Sequence, residues 1–167
     1  KDTIVFGDNN TLISLSDEYD GVAQATGHGD DTIMTSTIEN VTTGDGDDIV
    51  VANGLDNVLL TGDGDDRLYG DAGDDTLTAG YAEDRLYGSN GNDSIQGEGG
   101  EDQLYGGGGN DDLQGGGGDD IATGDSGSDA LRGGGGSDQL LGGDGSDLIF
   151  GEEGDDIIKG GEGNDLI

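Results

Sequence analysis

The chain of 167 residues carries 39 acidic side chains against five basic ones, a formal charge of −34, with 39 glycines and no Pro, Cys or Trp. So negative a surface repels nucleic acid phosphates and anionic membranes, which argues against both as partners, and no apolar run approaches a membrane span. By composition alone the chain sits with disordered segments, too poor in apolar groups for its like charge, and without Cys no disulfide can reinforce a thin core.

In chain order, residues 1–42 read as a degraded repeat. Asp2-Thr3-Ile4 and Gly27-His28-Gly29-Asp30-Asp31-Thr32-Ile33 share a pattern, and Ile13 and Val22 follow Ile4 at nine-residue steps. The sequence between them lacks turn glycines, so irregular rungs or an N-terminal cap are expected. From Thr43 to Ile167 a nine-residue unit recurs with no insertion or deletion, as in Gly70-Asp71-Ala72-Gly73-Asp74-Asp75-Thr76-Leu77-Thr78. A fixed short period means one small unit stacked many times. The chain starts on Lys1 and stops at an aliphatic repeat position, so it is expected to be a piece of a longer array that continues, or is capped, past residue 167.

Position eight of the unit is the reliably apolar one: Val50, Leu59, Leu68, Leu77 and onward to Ile158 and Ile167. With mixed residues at seven and nine, this spacing predicts three-residue strands, centre inward and flanks outward. Helix is not credible, because a nine-residue period matches no helical face and Gly interrupts every segment. Positions one to six are then turns, with Gly at position four supplying backbone angles that residues with a Cβ avoid. Two strands and two turns close a coil of eighteen residues, so residues eighteen apart stack.

Position six is Asp in nearly every copy. Stacking places Asp48, Asp66, Asp84, Asp102, Asp120, Asp138 and Asp156 in one column and Asp75, Asp93, Asp111, Asp129, Asp147 and Asp165 in another, on rungs about 4.8 Å apart. Columns of like charge this close need counter-ions. Carboxylate and carbonyl oxygens on Gly-rich loops suit a hard cation, Ca²⁺ in preference to the more strictly octahedral Mg²⁺, and with no Cys and a single His a soft metal is excluded.

The unit Gly-Gly-x-Gly-x-Asp-x-aliphatic-x resembles the RTX (repeats-in-toxin) nonapeptide, over about fourteen consecutive copies and three quarters of the chain. The resemblance implies an all-β fold: a right-handed parallel β-roll, or β-solenoid, of two nonapeptides per coil. It implies Ca²⁺ held between turns of successive coils on both flanks, about a dozen ions in all. Each position-six Asp would supply side-chain oxygen, pairing Asp66 with Asp84, Asp84 with Asp102 and Asp75 with Asp93 up the columns. Loop carbonyls at position four would complete the shell: Gly46, Gly64, Gly73, Gly91, Gly100, Gly109, Gly118, Gly127, Gly136, Gly145, Gly154 and Gly163. Asp31 is carried over as a further ligand, pairing with Asp48 across a one-residue slip. The resemblance also implies a secreted or cell-surface protein of a Gram-negative bacterium, exported unfolded by type I secretion machinery and folding on extracellular calcium.

Departures from the pattern are local. Copy 52–60 has Leu55 at position four and Asn57 at position six, so its flank is expected to hold calcium weakly or not at all. Ala82 at position four costs about 1 kcal/mol if it must turn left-handed, and Ala122 in the inward place predicts a small void or a slight shift. Outward positions become apolar near the start (Ile49, Val51, Val58, Leu60) and finish (Leu141, Leu148, Phe150, Ile157, Leu166), which suggests contact with flanking segments or self-association through the C-terminal face. Tyr69, Tyr87 and Tyr105, eighteen apart, predict an exposed ladder that either aids stacking or binds sugar.

No catalysis is expected. Acids recurring every nine residues are ligands rather than one singular site, His28 has no Ser or Cys partner, and the glycine loops 106–110 and 115–119 lack the Lys of a phosphate cradle. The expected role is a calcium-dependent, rigid structural or secretion-assisting element of a surface-layer protein, adhesin or fibre. The alternative is a C-terminal appendage of a secreted toxin or exoenzyme such as a protease, lipase or epimerase.

Overall fold

A computed structural model of the chain describes residues 2–6, 12–14, 21–25, 32–34 and 40–167, and all its regular structure is strand. The strands are β1 (Asp2–Phe6), β2 (Leu12–Ser14), β3 (Gly21–Ala25), β4 (Thr32–Met34), β5 (Asn40–Thr42), β6 (Ile49–Val51), β7 (Val58–Leu60), β8 (Arg67–Ala72) and β9 (Thr76–Thr78). They continue as β10 (Arg85–Asn90), β11 (Ser94–Gly99), β12 (Gln103–Gly108), β13 (Asp112–Gly117), β14 (Ile121–Ser126), β15 (Ala130–Gly135), β16 (Gln139–Gly145), β17 (Leu148–Glu153) and β18 (Ile157–Gly163).

Odd-numbered strands form one nine-stranded parallel sheet and even-numbered strands a second, each in sequence order. Every connection therefore leaves one sheet for the other, and one coil is two nonapeptides. This is the parallel β-roll. In the regular part the register is eighteen residues: Leu68 meets Leu86, Leu86 meets Leu104, Leu104 meets Ala122 and Ala122 meets Leu140. The core is a single file from each sheet. Leu59, Leu68, Leu77, Leu86, Ile95, Leu104, Leu113, Leu131 and Ile149 are fully buried, and Ala122 keeps its inward place with no slip of register. One aliphatic per nonapeptide suffices because each packs between the two sheets and between the rungs above and below.

Strand length departs from the expectation. Three residues hold for β5, β6, β7 and β9, but β8 and the strands from β10 onward run six or seven residues, through position nine into the next copy's first three or four positions. Their burial alternates over the added stretch, so that Gly70, Gly88 and Gly106 are buried beside the aliphatic file. The extension follows the residue at position one: where it is Gly, nothing projects inward to stop the sheet continuing into the loop.

The N-terminal rungs are irregular in register. Ile4 meets Ala23, and Ala23 meets Val41, so Ala23 rather than Val22 continues the Ile4 file. Ile13 meets Ile33, and Ile33 meets Val50 seventeen residues on, one short of the regular spacing. Asp31 and His28 lie outside the described residues.

Tyr69, Tyr87 and Tyr105 stack ring on ring at 4.9 Å with interplanar angles of 2° and 6°. They are half-buried rather than exposed, and Tyr87 has both ring faces covered by its two neighbours, which supports a stacking role.

Candidate metal site

The turns between strands centre on positions four to six, and begin at position one where the preceding strand is short. The position-four glycines Gly46, Gly64, Gly73, Gly91, Gly100, Gly109, Gly118, Gly127, Gly136, Gly145, Gly154 and Gly163 all have positive φ, between 114° and 151°. From Gly64 onward each lies over the carbonyl of its counterpart one coil earlier: a Cβ on Gly64, Gly91, Gly109 or Gly118 would overlap the carbonyl oxygen of Gly46, Gly73, Gly91 or Gly100. The missing side chain therefore lets loop carbonyls point at the next coil. Ala82 occupies the same place at φ 103°.

Position six closes the loop. Asp48, Asp66, Asp75, Asp84, Asp93, Asp102, Asp111, Asp120, Asp129, Asp138 and Asp147 are buried, at most 3% exposed, while Asp156 and Asp165 at the last rungs are half-buried. The two carboxylate oxygens have different surroundings. Oδ1 accepts a hydrogen bond from the backbone N–H of the position-six residue one coil earlier. Asp66 N–H donates to Asp84 at 2.8 Å, Asp102 N–H to Asp120 at 2.8 Å, Asp75 N–H to Asp93 at 2.8 Å and Asp111 N–H to Asp129 at 2.9 Å. Both columns continue so, to Asp156 and Asp165. Oδ2 of Asp75, Asp93, Asp102, Asp111, Asp120, Asp129, Asp138 and Asp147 is buried with no hydrogen-bond partner. Beside Asp66 the Thr61 hydroxyl is near enough to lower the carboxyl pKa, yet neither Thr61 Oγ1 nor Asp66 Oδ2 makes a well-formed hydrogen bond.

A buried acceptor left unsatisfied is costly, and an ionised one more so. The carboxyl pKa values record this. Burial pushes Asp66, Asp75 and Asp102 up to about 7 and Asp84, Asp111 and Asp120 up to about 6, against the pull of the N–H donors. Asp93, Asp129 and Asp138 are raised for the same reason. Neighbouring carboxylates add to the rise, as Asp93 does at Asp75 and Asp138 at Asp120.

An orphaned carboxylate oxygen in buried surroundings, with a backbone carbonyl oxygen close by, fits a hard cation. Among the described residues no three carboxylates or imidazoles converge on one point, so a cation between coils takes part of its shell from carbonyls, as Ca²⁺ sites accept. Bound calcium would supply the positive charge that the position-six columns lack. The protein's part is to hold Oδ1 on an N–H donor so that Oδ2 stays aimed into the loop.

A second ladder, at position five, goes beyond what the sequence pattern predicts. Here the side chain accepts from the N–H one coil later: Asp65 N–H to Asp47 at 3.0 Å, Asn92 N–H to Asp74 at 2.8 Å, Asn110 N–H to Asn92 at 2.9 Å and Ser137 N–H to Asp119 at 2.8 Å. Its signal is the run of short polar residues at that position, each able to bond a nearby backbone N–H. The loop of copy 52–60 is closed by amides instead, with Asn53 N–H donating to Asn57 Oδ1 (3.2 Å) and Leu55 N–H to Asn53 Oδ1 (2.9 Å).

A parallel β-roll with buried, cation-seeking carboxylates on both flanks defines a metal-binding repeat solenoid. The family model of the RTX calcium-binding nonapeptide repeat matches four times, at residues 42–77, 78–113, 105–140 and 132–167, and the chain belongs to that family. No curated protein and no solved structure matches it significantly.

Proposed function

We propose that this chain is a calcium-dependent folding module of a protein exported by type I secretion, disordered before export and assembled into a rigid roll by extracellular calcium. The observation that carries this reading is the buried Oδ2 without a partner at Asp75, Asp93, Asp102, Asp111, Asp120, Asp129, Asp138 and Asp147. Such a column resists folding until a cation fills it. The family is generally one of secreted proteins, and the outside of a cell offers calcium in the range that extracellular modules bind, about 10⁻⁴–10⁻³ M. Loops on both flanks carry the position-six carboxylates that would share these ions. The roll itself is non-catalytic and serves as the rigid element of a surface-layer protein, adhesin or fibre. Apolar outward residues on the last rungs, Phe150, Ile157 and Leu166, favour that reading over an appendage of a secreted toxin or exoenzyme, because they suit lateral or end-to-end contact.

Far-ultraviolet circular dichroism in chelator and in calcium tests the reading. At neutral pH the β signal is expected only with calcium at roughly tenfold above those affinities. The same signal in chelator would overturn it.

A further inference from the structure

We propose that the residue at position one of each copy selects which loops take calcium: loops opening with Gly take it, and those opening with Thr43, Ala52, Thr61 and Ala79 do not. The selection rests on the calcium reading above and divides the roll in two.

Space at position one sets the first condition. A Cβ on Gly70, Gly106 or Gly124 would overlap Oδ2 of Asp75, Asp111 or Asp129, and would stand 2.6–2.9 Å from the carbonyl oxygen of Gly88, Gly124 or Gly142 on the next coil. A carboxylate oxygen and a carbonyl oxygen thus face one small space, which exists only because position one has no side chain. Two acceptors converging without a donor require a positive charge between them.

Backbone conformation divides the loops in the same way, independently of that space. After every Gly at position one, position two has positive φ, including Asp71, Ser89, Glu98, Asp125 and Glu152 at 72–86°. Non-glycine residues adopt that region only where the surroundings enforce it. After Thr43, Ala52, Thr61 and Ala79, position two is absent from the positive-φ set and the preceding strand stops at three residues. The backbone therefore has two loop states, and the state follows position one without exception.

In the two alanine loops of the second state, other groups stand where the cation would be. In copy 79–87 the Gly80 N–H points at Asp84 Oδ2, 3.5 Å away, so a donor is turned toward the place a cation would need. In copy 52–60 the Asn53 and Asn57 amides close the loop, and Ala52 and Ala79 add buried apolar surface. In copy 61–69 the Thr61 hydroxyl stands beside the Asp66 carboxyl, although Oδ2 there makes no well-formed hydrogen bond, and the cation-bearing part begins at Gly70 on one flank and Gly97 on the other.

The test counts bound calcium per chain by equilibrium dialysis of the whole chain, with circular dichroism to show folding. Ala79→Gly combined with Ala82→Gly is expected to gain an ion and Gly106→Ala to lose one, while Gly117→Ala, whose Cβ would meet nothing within 4 Å, keeps the wild-type count. A folded Ala79→Gly/Ala82→Gly chain with an unchanged count, or Gly106→Ala holding the full count, overturns the proposal. Should Gly106→Ala fail to fold, the gain in the double variant decides. A wild-type chain that binds no calcium would instead remove the functional reading on which this one stands.

Discussion

At the scale of single residues, the position-six aspartate separates two tasks between two oxygens. Asp111 Oδ1 holds the Asp93 N–H at 2.8 Å while Oδ2 is buried without a partner. Asp111→Asn keeps the acceptor and removes the charge. It is expected to retain the coil in saturating calcium and to weaken binding at that loop, read by competition with a chromophoric chelator. Asp111→Ala deletes both functions and is expected to lose local order as well, an effect of about 1–3 kcal/mol from the orphaned N–H alone. Among the loop glycines, Gly118 has φ 134° and a Cβ there would overlap the Gly100 carbonyl, whereas Gly117 faces open space. Gly118→Ala is therefore expected to cost at least about 1–3 kcal/mol in urea unfolding at saturating calcium, and Gly117→Ala to be nearly neutral.

At the scale of the element, each strand is a single inward aliphatic framed by polar or mixed neighbours, and its stability is shared with the rungs on either side. Leu104 is fully buried between Leu86 and Ala122 in its sheet. Because Ala122 already gives that file a short side chain, Leu104→Ala opens a larger gap there. The expected loss is about 2–5 kcal/mol in urea unfolding of the calcium-loaded chain. Strand length is only partly readable from the pattern. The aliphatic at position eight marks the strand centre, but whether the strand continues into the following turn depends on what a Cβ at position one would strike, and that partner, Asp75 for Gly70 or Asp111 for Gly106, sits five residues away across a loop.

At the scale of the whole molecule, the buried carboxyls make folding sensitive to protons when calcium is absent. Asp66, Asp75 and Asp102 titrate near 7 in the coil against 3.8 for an ordinary aspartate, so between those values the folded chain binds more protons than the unfolded one. Their contribution to stability is complete below 3.8 and is lost as pH rises through about 7. In chelator, acidification from neutral pH toward 4 is expected to increase the β signal by circular dichroism. With calcium present the same protons compete for Oδ2, and calcium affinity is expected to fall over the same range. A chelated chain whose β signal is flat across that range would show that these carboxyls do not titrate as buried groups.

The period of nine, the aliphatic at position eight and the aspartate at position six are legible in the sequence, because a strict repeat leaves one way to stack and puts like residues in columns. From these the two parallel sheets follow, and with them the need for positive charge between the coils. Several features cannot be read along the chain. Only the folded coil shows that each Asp spends one oxygen on the backbone of its neighbour, that position five builds a second ladder, and that Ala23 rather than Val22 continues the first file. Those depend on distances between residues eighteen or nineteen apart, and only the stacked backbone sets them.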